Sequence, residues 1–104
     1  MSVILVLCTF PDLEKARQIG TVLVEKQLAA CVNLLPAIES IYRWEGKIEQ
    51  ADEVLGIFKT TREGYPRLKD ELAALHPYEV PEIIALNPED VSGSYARWVG
   101  ESVS

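Results

Sequence analysis

The sequence predicts an α+β fold of the ferredoxin-like, or split βαβ, type, in which two helices cover one face of a four-stranded antiparallel sheet. Apolar runs typical of strands and stretches of helical period follow one another in the order β-α-β-β-α-β, with a short C-terminal helix after them. A long apolar stretch centred on Gly46 predicts a hairpin between the second and third strands. With 104 residues, the chain is expected to form one domain over residues 1–104.

The N-terminal strand and helix have clear local signals. Residues 3–8 are continuously apolar, which predicts a strand that is buried on both faces. Asp12 is a favourable N-cap, and apolar side chains then recur at helical spacing up to about Lys26 or Gln27.

Residues 28–61 form the predicted hairpin, with Gly46 in its turn because glycine adopts positive φ without steric cost. Pro36 has no N–H to donate and therefore marks a bulge or an edge position. Each arm would span roughly ten residues, longer than the usual five or six. We expect so long a hairpin to need support at its tip from a second copy of the chain.

The second half of the chain adds a helix, a strand and a helix. Residues 62–75 have helical spacing, with Pro66 in the first turn, and Pro77 ends this helix because the residue before a proline avoids the α region. Residues 83–86 predict a short strand that is apolar on both faces. Ser92 or Ser94 is expected to cap the terminal helix.

Apolar residues on both faces of three strands conflict with a lone ferredoxin-like domain. One face of its sheet would meet water, and a solvated face normally alternates apolar with polar residues. Residues 3–8, 54–58 and 83–86 do not alternate in this way. The sequence therefore predicts that other subunits cover this face.

The overall charge narrows the classes of partner and compartment. A formal net charge of -6 makes nucleic acid a poor partner, because phosphate binding requires a basic surface. The apolar run at residues 3–8 is too short to span a membrane. Two cysteines, Cys8 and Cys31, without a CxxC motif fit a cytoplasmic protein.

The segment of residues 76–82 is the best candidate for a ligand site. Two prolines stiffen it, and alternation along an extended chain would point His76, Tyr78 and Glu82 to one side, with Glu79 opposite. We expect residues 42–45 of the hairpin, supplied by another subunit, to form the opposite wall of the cleft. Its ligand residues are predicted to be Tyr42, Trp44, Glu45, Tyr78 and Glu79.

Four sequence blocks resemble the CutA family of divalent-cation tolerance proteins. They are LAACVN at residues 28–33, SIYRWEGK at 40–47, KTT at 59–61 and HPYEVPEI at 76–83. The resemblance implies a ferredoxin-like homotrimer that is cytoplasmic, is linked to copper or other divalent-metal tolerance, and is similar in architecture to PII-type signalling proteins. No organic cofactor is expected.

The resemblance also implies a copper site. Cys8, His76 and Glu82 occupy the positions to which metal binding is attributed in this family, so Cu(II) or another divalent cation is the expected ligand. Some relatives carry a second histidine before the His-Pro pair, where this chain has Leu75.

Structural roles explain several of the same residues. Cys8 and Cys31 fit core positions, and His76 suits a helix end by the dipole alone. Trp44 fits packing against a neighbouring subunit or stacking on a ligand. A further group of acidic residues is expected to form a solvated face: Glu45, Glu49, Asp52 and Glu53.

Three functions therefore stay open. The first is a trimeric metal-responsive or signalling protein that binds a cation or small ligand between subunits. The second is a scaffold that presents Tyr95 and Trp98 of its terminal helix to a partner. The third is an enzyme with His76 as general base, supported by Tyr78 and a glutamate; we expect no enzyme, because the sequence shows no nucleophile–base pair or phosphate loop.

Overall fold

The computed structural model describes residues 2–104, in which four strands and three helices are formed. In chain order they are β1 (Val3–Phe10), α1 (Leu13–Glu25), β2 (Cys31–Trp44), β3 (Lys47–Thr61), α2 (Tyr65–Leu75), β4 (Ile84–Leu86) and α3 (Gly93–Ser102). The strands form one antiparallel sheet in the order β2-β3-β1-β4. The predicted ferredoxin-like α+β class is confirmed.

The main core lies between the sheet and helices α1 and α2. Because successive side chains of a strand point to opposite faces, every second residue of β1 enters this core. The fully buried members include Val6, Cys8 and Phe10 of β1, with Leu23 of α1 and Leu72 of α2 opposite them. Removal of this apolar surface from water is the main force that holds the helices on the sheet.

Local hydrogen bonds set the helix ends. Asp12 accepts a bond from the backbone N–H of Lys15 at 2.7 Å, which confirms it as the N-cap of α1. α1 ends at Glu25, slightly earlier than predicted, and Gln27 already has a φ of 59°. α2 begins at Tyr65 rather than at residue 62, because the Thr61 hydroxyl accepts the Gly64 N–H at 3.0 Å and turns the chain first.

The β2–β3 hairpin is longer than the sequence predicted. Its strands have 14 and 15 residues, and it contributes to a longest molecular dimension of 44 Å. Glu45 and Gly46 have φ values of 50° and 80°, as the tight turn requires. A bulge between Leu35 and Ile38 interrupts the pairing next to Pro36, as predicted.

The second face of the sheet is only partly covered within the chain. Val99 of α3 packs on Val3 and Ala30 near one end of this face. All three residues of β4 are exposed, with Ile84 at 46% and Leu86 at 43%, so the burial predicted for this strand on both faces is absent from the single chain. The three residues of β4 pair with β1, but within residues 2–104 no further element covers their side chains.

We expect Gly56→Ala to destabilise the fold. A Cβ at this position would lie 2.9 Å from Cε2 of Phe10, a fully buried ring. Overpacking of this kind costs about 1 to 3 kcal/mol, which exceeds the gain of about 0.4 to 1 kcal/mol from stiffening the unfolded chain. Urea unfolding should therefore show a lower midpoint. Gly93→Ala is the control, since its nearest heavy atom would be 3.6 Å away; a midpoint for Gly56→Ala at or above that of the control contradicts this packing.

Candidate functional site

A cavity of about 690 Å³ lies between the hairpin and the segment that follows α2. This volume is in the usual range for small-molecule sites. Strand β2 contributes two aromatic rings, strand β3 contributes one carboxylate, and residues 77–82 contribute much of the rest of the wall. The functional groups of the wall are three rings and three carboxylates: Tyr42, Trp44, Tyr78, Glu53, Glu79 and Glu82.

Glu53 and Tyr78 form the strongest polar contact of this cavity. The Tyr78 hydroxyl donates to Oε2 of Glu53 at 2.6 Å, and Glu53 is only 9% exposed. Burial, followed by this bond to Glu53, raises the pKa of Tyr78 above its usual range. Tyr78 is therefore a hydrogen-bond donor at neutral pH. The prediction that Glu53 belongs to a solvated face is wrong, because residues 77–80 bend over the face of β3 that carries it.

His76 ties this segment to the end of β1. Pro77 keeps His76 extended at the end of α2, with a ψ of 137°. Its Nε2 lies 2.7 Å from the Thr9 carbonyl oxygen, and its Nδ1 accepts the backbone N–H of Tyr78 at 3.1 Å. A carbonyl only accepts, so the proton is on Nε2. In this arrangement both ring nitrogens are used within the fold, and neither offers a free lone pair to a metal or a substrate.

Cys8 is a core residue. It is 0% exposed, and its thiol donates weakly to the Thr9 carbonyl at 3.7 Å. Burial raises the pKa of Cys8 to about 12, and the charges of Glu82 and Glu53 add to this effect. Because folding raises this pKa, the protonated thiol contributes to the free energy of unfolding. The contribution is fully present below the ordinary pKa of 9.0 and is lost as the pH rises toward 12. A metal at Cys8 would have to displace that proton.

The three predicted metal ligands have different surroundings. Glu82 lines the cavity, whereas Cys8 and His76 are buried beside the Thr9 carbonyl. Within residues 2–104, no group of three or more His, Cys, Asp and Glu side chains is arranged to hold a metal ion. A site composed of all three residues is therefore not assembled in the single chain.

Four of the five predicted cleft residues line the cavity: Tyr42, Trp44, Tyr78 and Glu79. Glu45 does not, because it occupies the exposed hairpin turn. Glu79 was expected opposite Tyr78, but the bend at residues 77–80 breaks the alternation of an extended chain. In the single chain, the hairpin residues of this wall belong to the same chain as residues 77–82. A wall supplied by another subunit stays a prediction.

Cys31 differs from its predicted role as a core residue. It is partly exposed, and its sulfur lies 3.5 Å from the hydroxyl of Tyr95 in α3. This hydrogen bond, with burial as the next cause, raises the pKa of Tyr95 to about 12. The contact holds α3 against the start of β2 and lies apart from the cavity, whose wall includes neither residue.

The fold and the cavity together define a class: a small split βαβ protein with an extended hairpin and an acidic, aromatic cleft alongside the outer half of the hairpin. Comparison with known families identifies the family within this class. The family model of the CutA1 divalent ion tolerance protein matches residues 4–102. The chain belongs to this family, which confirms the resemblance found in the sequence.

Individual relatives agree over almost the whole chain. The chain is 47% identical to the divalent-cation tolerance protein CutA of Thermus thermophilus over 97 residues, which cover 93% of this chain and 94% of that protein. The crystal structure of CutA from Xylella fastidiosa superimposes with a TM-score of 0.96 at 39% identity and covers all of both chains. A CutA structure from Archaeoglobus fulgidus, described as periplasmic, gives a TM-score of 0.94 at 41% identity, with 98% of this chain and 99% of that chain covered. Among residues 2–104 of the present chain, no helix is long and apolar enough to cross a membrane.

We expect Tyr78→Phe to destabilise the protein by about 1 to 3 kcal/mol, because it leaves the buried carboxylate of Glu53 without its donor. Tyr65→Phe is the matched control, since its ring contacts Lys69 and the same hydroxyl is lost. Chemical denaturation of both variants measures the difference. Equal stability of the two would show that the Glu53 bond contributes nothing to the fold.

Proposed function

We propose that this member of the CutA family is a homotrimeric divalent-cation tolerance protein that binds a cation in the cavity between its hairpin and residues 77–82. The observation that carries the proposal is the charge of the cavity wall. Three glutamates line it, and the described residues of the wall include no lysine, arginine or histidine. A cleft with charges of one sign raises the local concentration of the opposite ion.

The carboxylates differ in depth. Glu53 is buried, whereas Glu79 and Glu82 are exposed at the rim. A cation would first meet the rim and then approach Glu53, where the lower dielectric strengthens each interaction. Carboxylate oxygens suit hard divalent ions.

Copper is the specific metal that the family resemblance implies, and its use of Cys8 and His76 is a further proposal. Both bonds of the His76 ring would have to break or be exchanged, and the Cys8 thiol would have to lose its proton. We therefore infer that Glu82 binds copper first and that the two buried residues join only after local rearrangement. The domain that carries this function is taken to be the whole of residues 1–104.

The metal proposal predicts that Glu82→Gln weakens binding of Mn(II) and Cu(II) by at least about tenfold, equivalent to about 1.4 kcal/mol. Glu101→Gln is the control, because this glutamate is exposed on α3 and outside the cavity wall. Calorimetric titration measures both. Cys8→Ser separates the metals: it should leave Mn(II) binding unchanged and weaken Cu(II) alone. Equal metal affinity in the parent and in Glu82→Gln contradicts the site.

Exposed apolar side chains support the trimer. Leu35, Ile84 and Leu86 are 42%, 46% and 43% exposed, and Ile41 and Ile48 near the hairpin tip are 64% and 62% exposed. Exposed apolar surface of this kind marks interaction sites. Copies of the same chain are the proposed partners, as the family resemblance implies.

Light scattering coupled to size exclusion should therefore give three times the chain mass of 11.6 kDa. Ile84→Glu places a charge on the exposed sheet face and should yield smaller species, because a buried unpaired charge is costly. Ala73→Glu, at an exposed position of α2, should leave the mass unchanged. A parent protein that elutes as a folded monomer at micromolar concentration overturns the proposal.

Signalling of the PII type and a cytoplasmic location are part of the same proposal. Two free thiols, Cys8 and Cys31, support a reducing compartment. Fractionation of cells that express the protein tests the location.

The scaffold alternative rests on Tyr95 and Trp98, whose rings lie 5.5 Å apart on the exposed side of α3. The enzymatic alternative has less support, because both nitrogens of His76 are already bonded.

A further inference from the structure

The cavity combines acidic and aromatic walls in a way that a bare metal ion does not require. We propose that its ligand is a short aliphatic diamine, an organic dication whose ammonium groups meet the glutamates and whose methylenes lie against the rings. This inference rests on the cation-binding role proposed above and specifies the chemical class of the cation.

Two aromatic rings of the wall have free surface. Tyr42 and Trp44 are 43% and 44% exposed and, two residues apart on β2, point to the same side of the strand. Within the described residues, neither ring stacks on another; the aromatic pairs there involve other side chains. In the single chain, their faces are available to an ammonium group and to its adjoining methylenes.

Glu53 supplies a deep acceptor. Its Oε2 takes the Tyr78 hydroxyl, and its Oε1 has no hydrogen bond to any residue of 2–104. No fully buried side-chain oxygen in this part of the chain lacks a partner, so Oε1 keeps some solvent exposure, and Glu53 lines the cavity. Glu53 as a residue is nine-tenths buried, and an ammonium donor would complete its hydrogen bonding.

The other two glutamates place a second acceptor group at the rim. Glu79 and Glu82 are exposed and line the same cavity as Glu53. A dication with one ammonium at Glu53 and the other at the rim would pair with carboxylates at both depths. A monoamine would pair with carboxylates at only one depth. Val80 also lines the cavity and would contact only the methylenes between the two charges.

A bare metal ion fits this wall less well. Divalent ions need several oxygens at about 2.0 to 2.6 Å, and no group of three metal-binding side chains is present among residues 2–104. An elongated organic cation uses the rings, the apolar patches and the separated carboxylates together.

The ligand class is tested by a charge series on the assembled protein. The chain has two tryptophans, so Trp98→Phe leaves Trp44 as the only one, and its fluorescence reports on the cavity. At fixed ionic strength, 1,4-diaminobutane should bind about tenfold more tightly than butylamine, and butane-1,4-diol should produce no change. Diol binding equal to that of the diamine would overturn the proposal. Tighter binding of Mg²⁺ than of the diamine would also overturn it.

Substitutions test the assignment of residues by calorimetry. Glu53→Gln, which keeps an acceptor for Tyr78, and Trp44→Leu should each weaken diamine binding about tenfold. Glu101→Gln and Trp98→Leu are the matched controls, and Trp98 has the same 44% exposure as Trp44. If Trp44→Leu instead dissociates the oligomer, Trp44 is an interface residue and its assigned role is wrong.

A peptide lysine carries the same ammonium group on four methylenes, but only one charge. N-acetyl-lysine amide should therefore bind no more tightly than butylamine; affinity equal to that of the diamine would assign the cavity to a protein partner and overturn the proposal. The metal titrations described above are independent. Metal binding without diamine binding overturns only this inference, whereas diamine binding without metal binding contradicts the metal role and leaves the diamine site intact.

Discussion

The position of β1 at the centre of the sheet is the constraint on which the other features depend. β1 pairs with β3 over eight residue pairs and with β4 over three, and its alternate side chains fill the helix-facing core. β4 reaches only to Ile84, opposite Leu7, so the next part of β1 has no strand on that edge. There the carbonyl of Thr9 bonds to His76 and is satisfied without a strand.

That bond also determines the shape of the cavity. His76 is held between the Thr9 carbonyl and the ring of Phe10, whose centroid lies 5.2 Å from the imidazole. Its Nδ1 then accepts the N–H of Tyr78 and fixes the bend that follows. The bend brings the Tyr78 hydroxyl to Glu53. In this structure, the histidine that the sequence predicted as a ligand positions the acidic wall; its role as a ligand stays a prediction.

The sequence predicted the fold class well because its determinants are local. The spacing of apolar residues in helices and strands acts over a few residues. The same is true of the cap at Asp12, the bulge beside Pro36 and the turn at Gly46. The cavity was predicted only in part because its key contact joins residues 25 positions apart, Tyr78 and Glu53. An acidic residue beside the apolar run of β3 looks like a solvated side chain until the bend over it is known.

The energetics of Glu53 connect fold and ligand. A buried carboxylate loses much of its hydration, and a single neutral donor replaces only part of it. The Tyr78 hydroxyl satisfies one oxygen, and the other faces a cavity whose charged groups are all acidic among the described residues. Glu79 and Glu82 increase this excess of negative charge. A cation bound there, as proposed, would relieve both the incomplete hydrogen bonding and the repulsion. The unfavourable environment of Glu53 in the single chain would then contribute to the affinity for that cation.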